Sequence, residues 1–201
     1  MLYEIEDEAG NISTIQLRNK ELEEPQESLK KGDLAPLFYL KSDEGFQVTS
    51  IAGGEAAGSL LEWLQTGPLV LSFYCTCWGR YAPKHLAMLQ ELAPKIEVFG
   101  GQLLVLSNEP PKAIDRLARK LDVDLNIYHD TNRNVARTYG VYSETSPIWD
   151  RIAGISEEVF TPSLFVIGQD RRVSYAFVDE NFDNVPDFKT ILKDVYSWKQ
   201  K

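Results

Sequence analysis

The sequence predicts an α/β domain built on a central mixed sheet flanked by helices. Two near-continuous apolar runs, Leu69–Tyr74 and Gln102–Ser107, read as strands buried on both faces of a sheet. Stretches of helical periodicity lie between the strands, and this alternation implies right-handed crossovers and parallel pairing. A closing pair, Leu164–Ile167 and Arg172–Val178 around the turn Gly168-Gln169-Asp170-Arg171, adds an antiparallel hairpin.

Each element has its own signal. Lys31-Gly32-Asp33-Leu34-Ala35-Pro36 reads as a loop. Phe38-Tyr39-Leu40 and Phe46-Gln47-Val48 around Asp43-Glu44-Gly45 read as a β-hairpin. Gly58–Leu64 suits a short helix ended by Gly67-Pro68. After Leu69–Tyr74, Pro83 marks the first helical position. Leu86, Leu89, Ala93, Ile96 and Phe99 then share one helix face, with a kink expected at Pro94 and an end at Gly100-Gly101. A helix from Pro110-Pro111 to about Leu121 carries Ile114, Leu117 and Ala118. Asn126–Asp130 is a short strand before a helix ending near Gly140. A last helix over 187–199 bears Phe188, Ile191, Leu192, Val195 and Trp198.

The chain has 201 residues, 43% hydrophobic and 25% charged, which suits one well-cored domain. Residues 1–30, charged and weakly patterned up to a break at Glu23-Glu24-Pro25, read as an N-terminal extension; 31–201 read as the domain. No apolar stretch reaches the roughly 20 residues of a membrane span. The acidic N-terminus lacks the pattern of a secretion signal, so the expectation is a cytoplasmic protein. A net charge of −9 argues against nucleic-acid or anionic-membrane partners.

Cys75 and Cys77 are the only cysteines, so a disulfide scaffold is excluded. With His85 and His129 the only histidines, a set of Cys75, Cys77 and His85 lacks any usual metal-ligand spacing, and no metal or cofactor is expected. Two thiols two residues apart can form a small-ring disulfide. Equally, free cysteines are small, buried apolar fillers.

Four segments together resemble the alkyl hydroperoxide reductase/thiol-specific antioxidant (AhpC/TSA) family, the peroxiredoxins. They are Gly32-Asp33-Leu34-Ala35-Pro36-Leu37-Phe38, Leu71-Ser72-Phe73-Tyr74 through Trp78, Gly101–Ser107, and Thr161-Pro162-Ser163-Leu164-Phe165-Val166-Ile167. They stand in the family's order over about residues 31 to 180. The resemblance implies a thioredoxin-like fold of the peroxiredoxin type, with the inserted β-α unit of that type. It also implies thiol-dependent chemistry on a peroxide or disulfide, a thioredoxin-type reductant and a homodimer.

One branch of the family carries Phe-Tyr-Arg-Gly-x-Trp-Cys-Pro-Tyr-Cys at the strand end. Laid over this chain, that pattern matches Phe73, Tyr74, Trp78 and Tyr81. The family's attacking cysteine falls on Gly79 and its second cysteine on Ala82. A glycine cannot form a sulfenic acid. Cys77 is then the candidate nucleophile and Cys75 its resolving partner, aided by the helix N-terminus and by Arg80. Thr76, Trp78, Gly79, Arg80, Tyr81 and Ala82 complete the loop. His85, one turn into the helix, reads as a surface or half-buried residue. Thr161-Pro162 is expected as a cis bond touching that loop. Residues 141–159, with Pro147-Ile148-Trp149-Asp150, suit a lid, a dimer contact or burial on their own domain. The alternative function is a non-catalytic binding or regulatory module on the same fold.

Overall fold

The computed structural model describes residues 2–6, 12–16, 26–41, 45–46, 58–145 and 159–198. The break at Glu23-Glu24-Pro25 and the Pro147-Ile148-Trp149-Asp150 segment lie outside them. Near the N-terminus, β1 (Leu2–Glu6) and β2 (Ile12–Gln16) pair antiparallel as a separate two-stranded sheet.

The main sheet has six strands in the order β10-β9-β6-β7-β8-β4. Its centre is β6 (Leu69–Tyr74), buried at every residue as the apolar run predicts. β7 (Gln102–Ser107) pairs parallel to β6 with Leu71 opposite Leu104, and β8 (Ile127–His129) pairs parallel to β7. β9 (Ser163–Ile167) runs antiparallel on the other side of β6, and β10 (Val173–Val178) closes the predicted hairpin against it.

The hairpin expected over residues 38–48 does not form among the described residues. β3 (Tyr39–Leu40) pairs instead with β5 (Gly58–Ser59), and β4 (Gly45–Phe46) adds to the edge of β8. Local alternation detects strands but not partners, and the sheet edge at β8 outcompetes the near neighbour. Ser59 also begins a capping box, bonded reciprocally to Glu62. It therefore starts α1 (Leu60–Thr66) two residues later than the apolar pattern suggests.

Alternation along β6 sends Leu69, Leu71 and Phe73 to one face and Val70, Ser72 and Tyr74 to the other. On the first face Phe73 packs against Phe160, Phe165 and Tyr139, with edge and tilted ring contacts of 5.7–6.3 Å. On the second face lies α2 (Tyr81–Val98), which is joined by α5 (Phe188–Trp198). Pro94 does not end α2, which runs on to Val98. Pro83 sits third in the helix, within the first turn, where its missing N–H has no intrahelical partner to lose. α3 (Pro111–Leu121) and α4 (Asn134–Thr138) complete the alternation.

After α4 the chain turns at Gly140, whose φ is 68°. A Cβ there would collide with the backbone of Glu27 and Ser28, which passes directly beneath. That segment is fixed by hydrogen bonds from Leu29 N to the Tyr139 carbonyl (3.2 Å) and from Gln26 Nε2 to the Thr138 carbonyl (2.7 Å). Gly140→Ala is therefore expected to lose about 2 kcal/mol or more through strain and collision together. Thermal unfolding should then show a midpoint lower by roughly 4–8 °C. An unchanged midpoint would contradict the close approach.

Candidate functional site

The site begins where β6 ends. β6 is paired on both sides, so the chain leaves the sheet at Cys75 in a fixed direction, beside the end of β7. In open α/β sheets such carboxyl-end crevices are where ligands bind. Cys75 is fully buried, whereas Cys77 is half-exposed and Thr76 is exposed. The two sulfurs are joined in a disulfide across a Cα–Cα distance of 5.3 Å. A single 3-10 turn, Thr76–Trp78, holds them, with Cys77 N donating to Cys75 Sγ at 3.2 Å.

Gly79 follows with φ 55° and ψ −122°, and Arg80 with φ −69° and ψ −17°. These are the angles of a type II′ turn, whose first central position demands glycine. A Cβ on Gly79 would meet nothing within 4 Å, so the requirement is conformational and not steric crowding. Arg80 is exposed and forms the N-cap of α2 without a side-chain bond to it. Ala82 is buried against the core.

Under the turn lies an aromatic layer. Trp78, buried, has edge contacts with Tyr74, Tyr81, His85 and Phe182 at 5.3–6.0 Å. Its indole N–H donates to the Phe160 carbonyl at 2.8 Å, which ties the loop to the entry of β9. The Tyr81 hydroxyl donates to the Asn184 carbonyl at 3.2 Å. Burial, reinforced by the nearby Asp179 charge, pushes the Tyr81 phenol far up, and burial raises that of Tyr74 to about 12. Both rings are neutral walls at physiological pH.

His85 is buried, contrary to the surface or half-buried place expected for it. Its Nε2 lies 2.9 Å from Ser72 Oγ, and the Ser72 hydroxyl donates to the Ser163 carbonyl at 3.0 Å. With the serine proton so used, His85 Nε2 carries a hydrogen and donates. Nδ1 is left as a buried acceptor without a partner. Burial lowers the imidazole to about 4, against a smaller opposing pull from Asp179. His85 is thus a neutral core residue, tying α2 to β6 and β9, and does not join the sulfurs.

The residue beside the sulfurs is one that sequence reasoning missed. Glu109 stands two residues beyond β7 and is half-buried. Its Oε1 accepts from Thr76 N at 3.3 Å and from the Thr76 hydroxyl in a short bond, and it lies 4.0 Å from Cys75 Sγ. The Glu109 carboxylate and the two sulfurs all lie within 4.8 Å of one another. Glu109 N donates to Ser107 Oγ at 3.1 Å, which helps aim the loop toward Cys75. The available signal was topological: Glu109 follows the strand adjacent to the one bearing Cys75. Of the two sulfurs, that of Cys77 belongs to the more exposed residue.

No peptide bond among the described residues is cis, so the expected cis Thr161-Pro162 bond is corrected to trans. The segment is held extended in that form. Thr161 N donates to the Val141 carbonyl at 2.8 Å, and Asp179 N donates to the Pro162 carbonyl at 2.9 Å. Just before it, the Phe160 carbonyl accepts from the Trp78 indole of the loop.

A buried strand ending in a two-cysteine turn, followed by a long helix and flanked by an antiparallel hairpin, defines a thiol protein of the thioredoxin superfamily. The sequence profile of the AhpC/TSA family matches residues 32–176, and the chain belongs to that family. Peroxiredoxin Bcp of Escherichia coli K12 is 25% identical over 156 residues, spanning 78% of this chain and 90% of that protein. Two solved structures share the fold. Peroxidoxin BcpB of Mycobacterium tuberculosis superposes with a TM-score of 0.60 at 19% identity, covering 86% of this chain and 97% of its own. The thiol peroxidase of Chromobacterium violaceum gives 0.63 at 16%, covering 87% and 90%. Among the described residues no helix is long and apolar enough to cross a membrane.

Two outcomes follow from this geometry. Gly79→Ala should destabilise by about 1 kcal/mol, because only the backbone resists it; a loss of several kcal/mol in denaturant titration would refute the open turn. For His85, a folded value near 4 lies below the unfolded value of about 6.5, so acid favours the unfolded chain. Its contribution, about 3 kcal/mol, is present above pH 6.5 and is lost as the pH falls toward 4. Equilibrium unfolding of wild type and His85→Gln across this range should show the steeper acid loss in wild type, and equal slopes would contradict it.

Proposed function

We propose that this chain is a thiol-dependent oxidoreductase acting on peroxides or disulfides, with Cys77 as the attacking thiolate and Cys75 as the resolving thiol. The observation that carries this reading is the bond between the only two cysteines, formed at the carboxyl end of the central strand in an antioxidant family. In the reduced state, the Cys77 thiolate attacks the terminal oxygen of a hydroperoxide. The O–O bond breaks, the alkoxide leaves and takes a proton as the alcohol, and Cys77 becomes a sulfenic acid. The Cys75 thiol then attacks that sulfur, forming the disulfide and releasing water. A thioredoxin-type dithiol restores both thiols, its own pair becoming the disulfide.

On the alignment that sets the family's attacking cysteine at Gly79, the reactive sulfur lies two residues earlier than usual. Cys77 is ahead of the α2 N-terminus and not in its first turn, so it gains less from the helix field. Turnover slower than that of a family member with the cysteine in the usual place is the expected result. Membership of the family favours the redox reading over a module without chemistry. Trp78 and Tyr81 wall the site, and Thr76 is hydrogen-bonded to Glu109 beside the two sulfurs.

The test is a peroxide pulse on the reduced protein, read by mass spectrometry. Wild type should lose two hydrogens as the disulfide closes. Cys75→Ser should stop at a sulfenic acid on Cys77 that a dimedone-type reagent traps. Cys77→Ser should oxidise at least 100-fold more slowly, its remaining thiol being buried. Peroxide consumption by Cys77→Ser equal to that of wild type would sink the assignment.

A further inference from the structure

We infer that the reduced protein binds one Zn²⁺ through Cys75 Sγ, Cys77 Sγ and a Glu109 carboxylate oxygen, with the fourth position open to solvent. The inference rests on the redox reading above only in requiring that the pair can be reduced while the protein stays folded.

The donor set is already gathered, since the three ligand atoms lie within 4.8 Å of one another. A tetrahedral zinc ion with Zn–S of about 2.3 Å and Zn–O of about 2.0 Å spans about 3.5 Å between sulfur and oxygen and about 3.8 Å between sulfurs. The Cys75 Sγ to Glu109 Oε1 separation of 4.0 Å is close to the first distance. Breaking the disulfide supplies the second, because two unbonded sulfurs move apart to about van der Waals contact. The backbone need not change, and Cα atoms 5.3 Å apart let both side chains reach a common point.

Charge argues the same way. Among the described residues Glu109 has no cationic partner. Two reduced sulfurs beside it would bring as many as three negative charges together. A divalent cation relieves this while using all three donors. Thiolates select zinc over calcium or magnesium, which prefer all-oxygen sites. The role of Glu109 separates zinc from Cu⁺, since soft thiolates alone suit the monovalent ion. Access is available because Thr76 is exposed and Cys77 half-exposed, so a water completes the coordination. The buried sulfur and the Thr76 clamp on Glu109 hold the other side.

Zinc and the disulfide are then mutually exclusive states of one pair. When a hydroperoxide oxidises the zinc-bound thiolates, the sulfurs lose two electrons and become the disulfide. The peroxide takes up those electrons with two protons, yielding alcohol and water, and the ion is released.

The experiment uses the full chain, reduced with a dithiol under anaerobic conditions and freed of reductant. Thiols are counted first; zinc is then titrated in competition with a chromophoric chelator. Cobalt(II) in parallel reports thiolate ligation by its near-ultraviolet charge-transfer band. Wild type should show two free thiols, bind one zinc per chain, and release it one-for-one as peroxide closes the disulfide. Cys77→Ser should weaken binding by roughly 100-fold or more and lose most of the cobalt band. Glu109→Gln, which keeps an acceptor for Thr76, should weaken zinc by roughly tenfold or more while both thiols still count as free.

Thermal midpoints of the oxidised Glu109→Gln and wild-type proteins within a few degrees would place any loss in the site and not in the fold. Reduced, folded wild type that holds no zinc, or Glu109→Gln that binds as tightly as wild type, overturns the site and leaves the redox reading standing. A disulfide that no dithiol can reduce in the folded chain overturns both.

Discussion

The structure turns on the enclosure of one strand. β6 is buried on both faces and hydrogen-bonded along both edges, to β7 and to β9. A segment so confined has no freedom in where it stops. Its last pairing, Tyr74 with Ser107, puts Cys75 beside the beginning of the β7–α3 loop, and the pairing of Phe73 with Ser163 puts the entry of β9 on the other side. Glu109 reaches the sulfurs and Trp78 reaches Phe160 because of these two registers. The site is built by strand alignment before any of its own side chains contribute.

A second constraint comes from inside the strand. Ser72 is a polar residue in an otherwise apolar run, and its hydroxyl bridges His85 on α2 and the Ser163 carbonyl. A buried hydroxyl without partners would be costly, so its two bonds favour one relative placement of helix and sheet. The helix start is fixed as a result, and the aromatic layer of Trp78, Tyr81 and Phe182 fills the space between it and the loop. The wall of the site is therefore a by-product of core packing.

Much of this was legible in the sequence, for physical reasons that differ by residue. β6, β7 and the β9–β10 hairpin are apolar runs long enough to be strands buried on both faces, and periodicity alone reveals them. The Gly32–Phe38, Leu71–Trp78 and Thr161–Ile167 segments led to the family. What stayed hidden depends on pairing at a distance. The Tyr39–Leu40 and Gly45–Phe46 strands look like partners locally, yet each is paired elsewhere. His85 gives no sign of burial until Ser72 is known to face it. Glu109, one acidic residue among thirty, becomes notable only when parallel pairing sets the ends of β6 and β7 side by side. The Thr161-Pro162 segment is hydrogen-bonded to Val141 and Asp179, neither of which is near it in sequence.

Gly79 sets the backbone path of the loop that carries the two cysteines. The residue takes φ 55° and ψ −122°, a region closed to β-carbon-bearing residues except under strain. The turn lies two residues before α2 and not in its first turn. Just before it, Thr76–Trp78 curl into a 3-10 turn, which brings Cys77 N to Cys75 Sγ and the two sulfurs together. A glycine at 79 and a bonded pair at 75 and 77 are thus two aspects of one backbone path. The path that favours glycine at position 79 is the one that gathers two sulfurs just upstream, against a carboxylate.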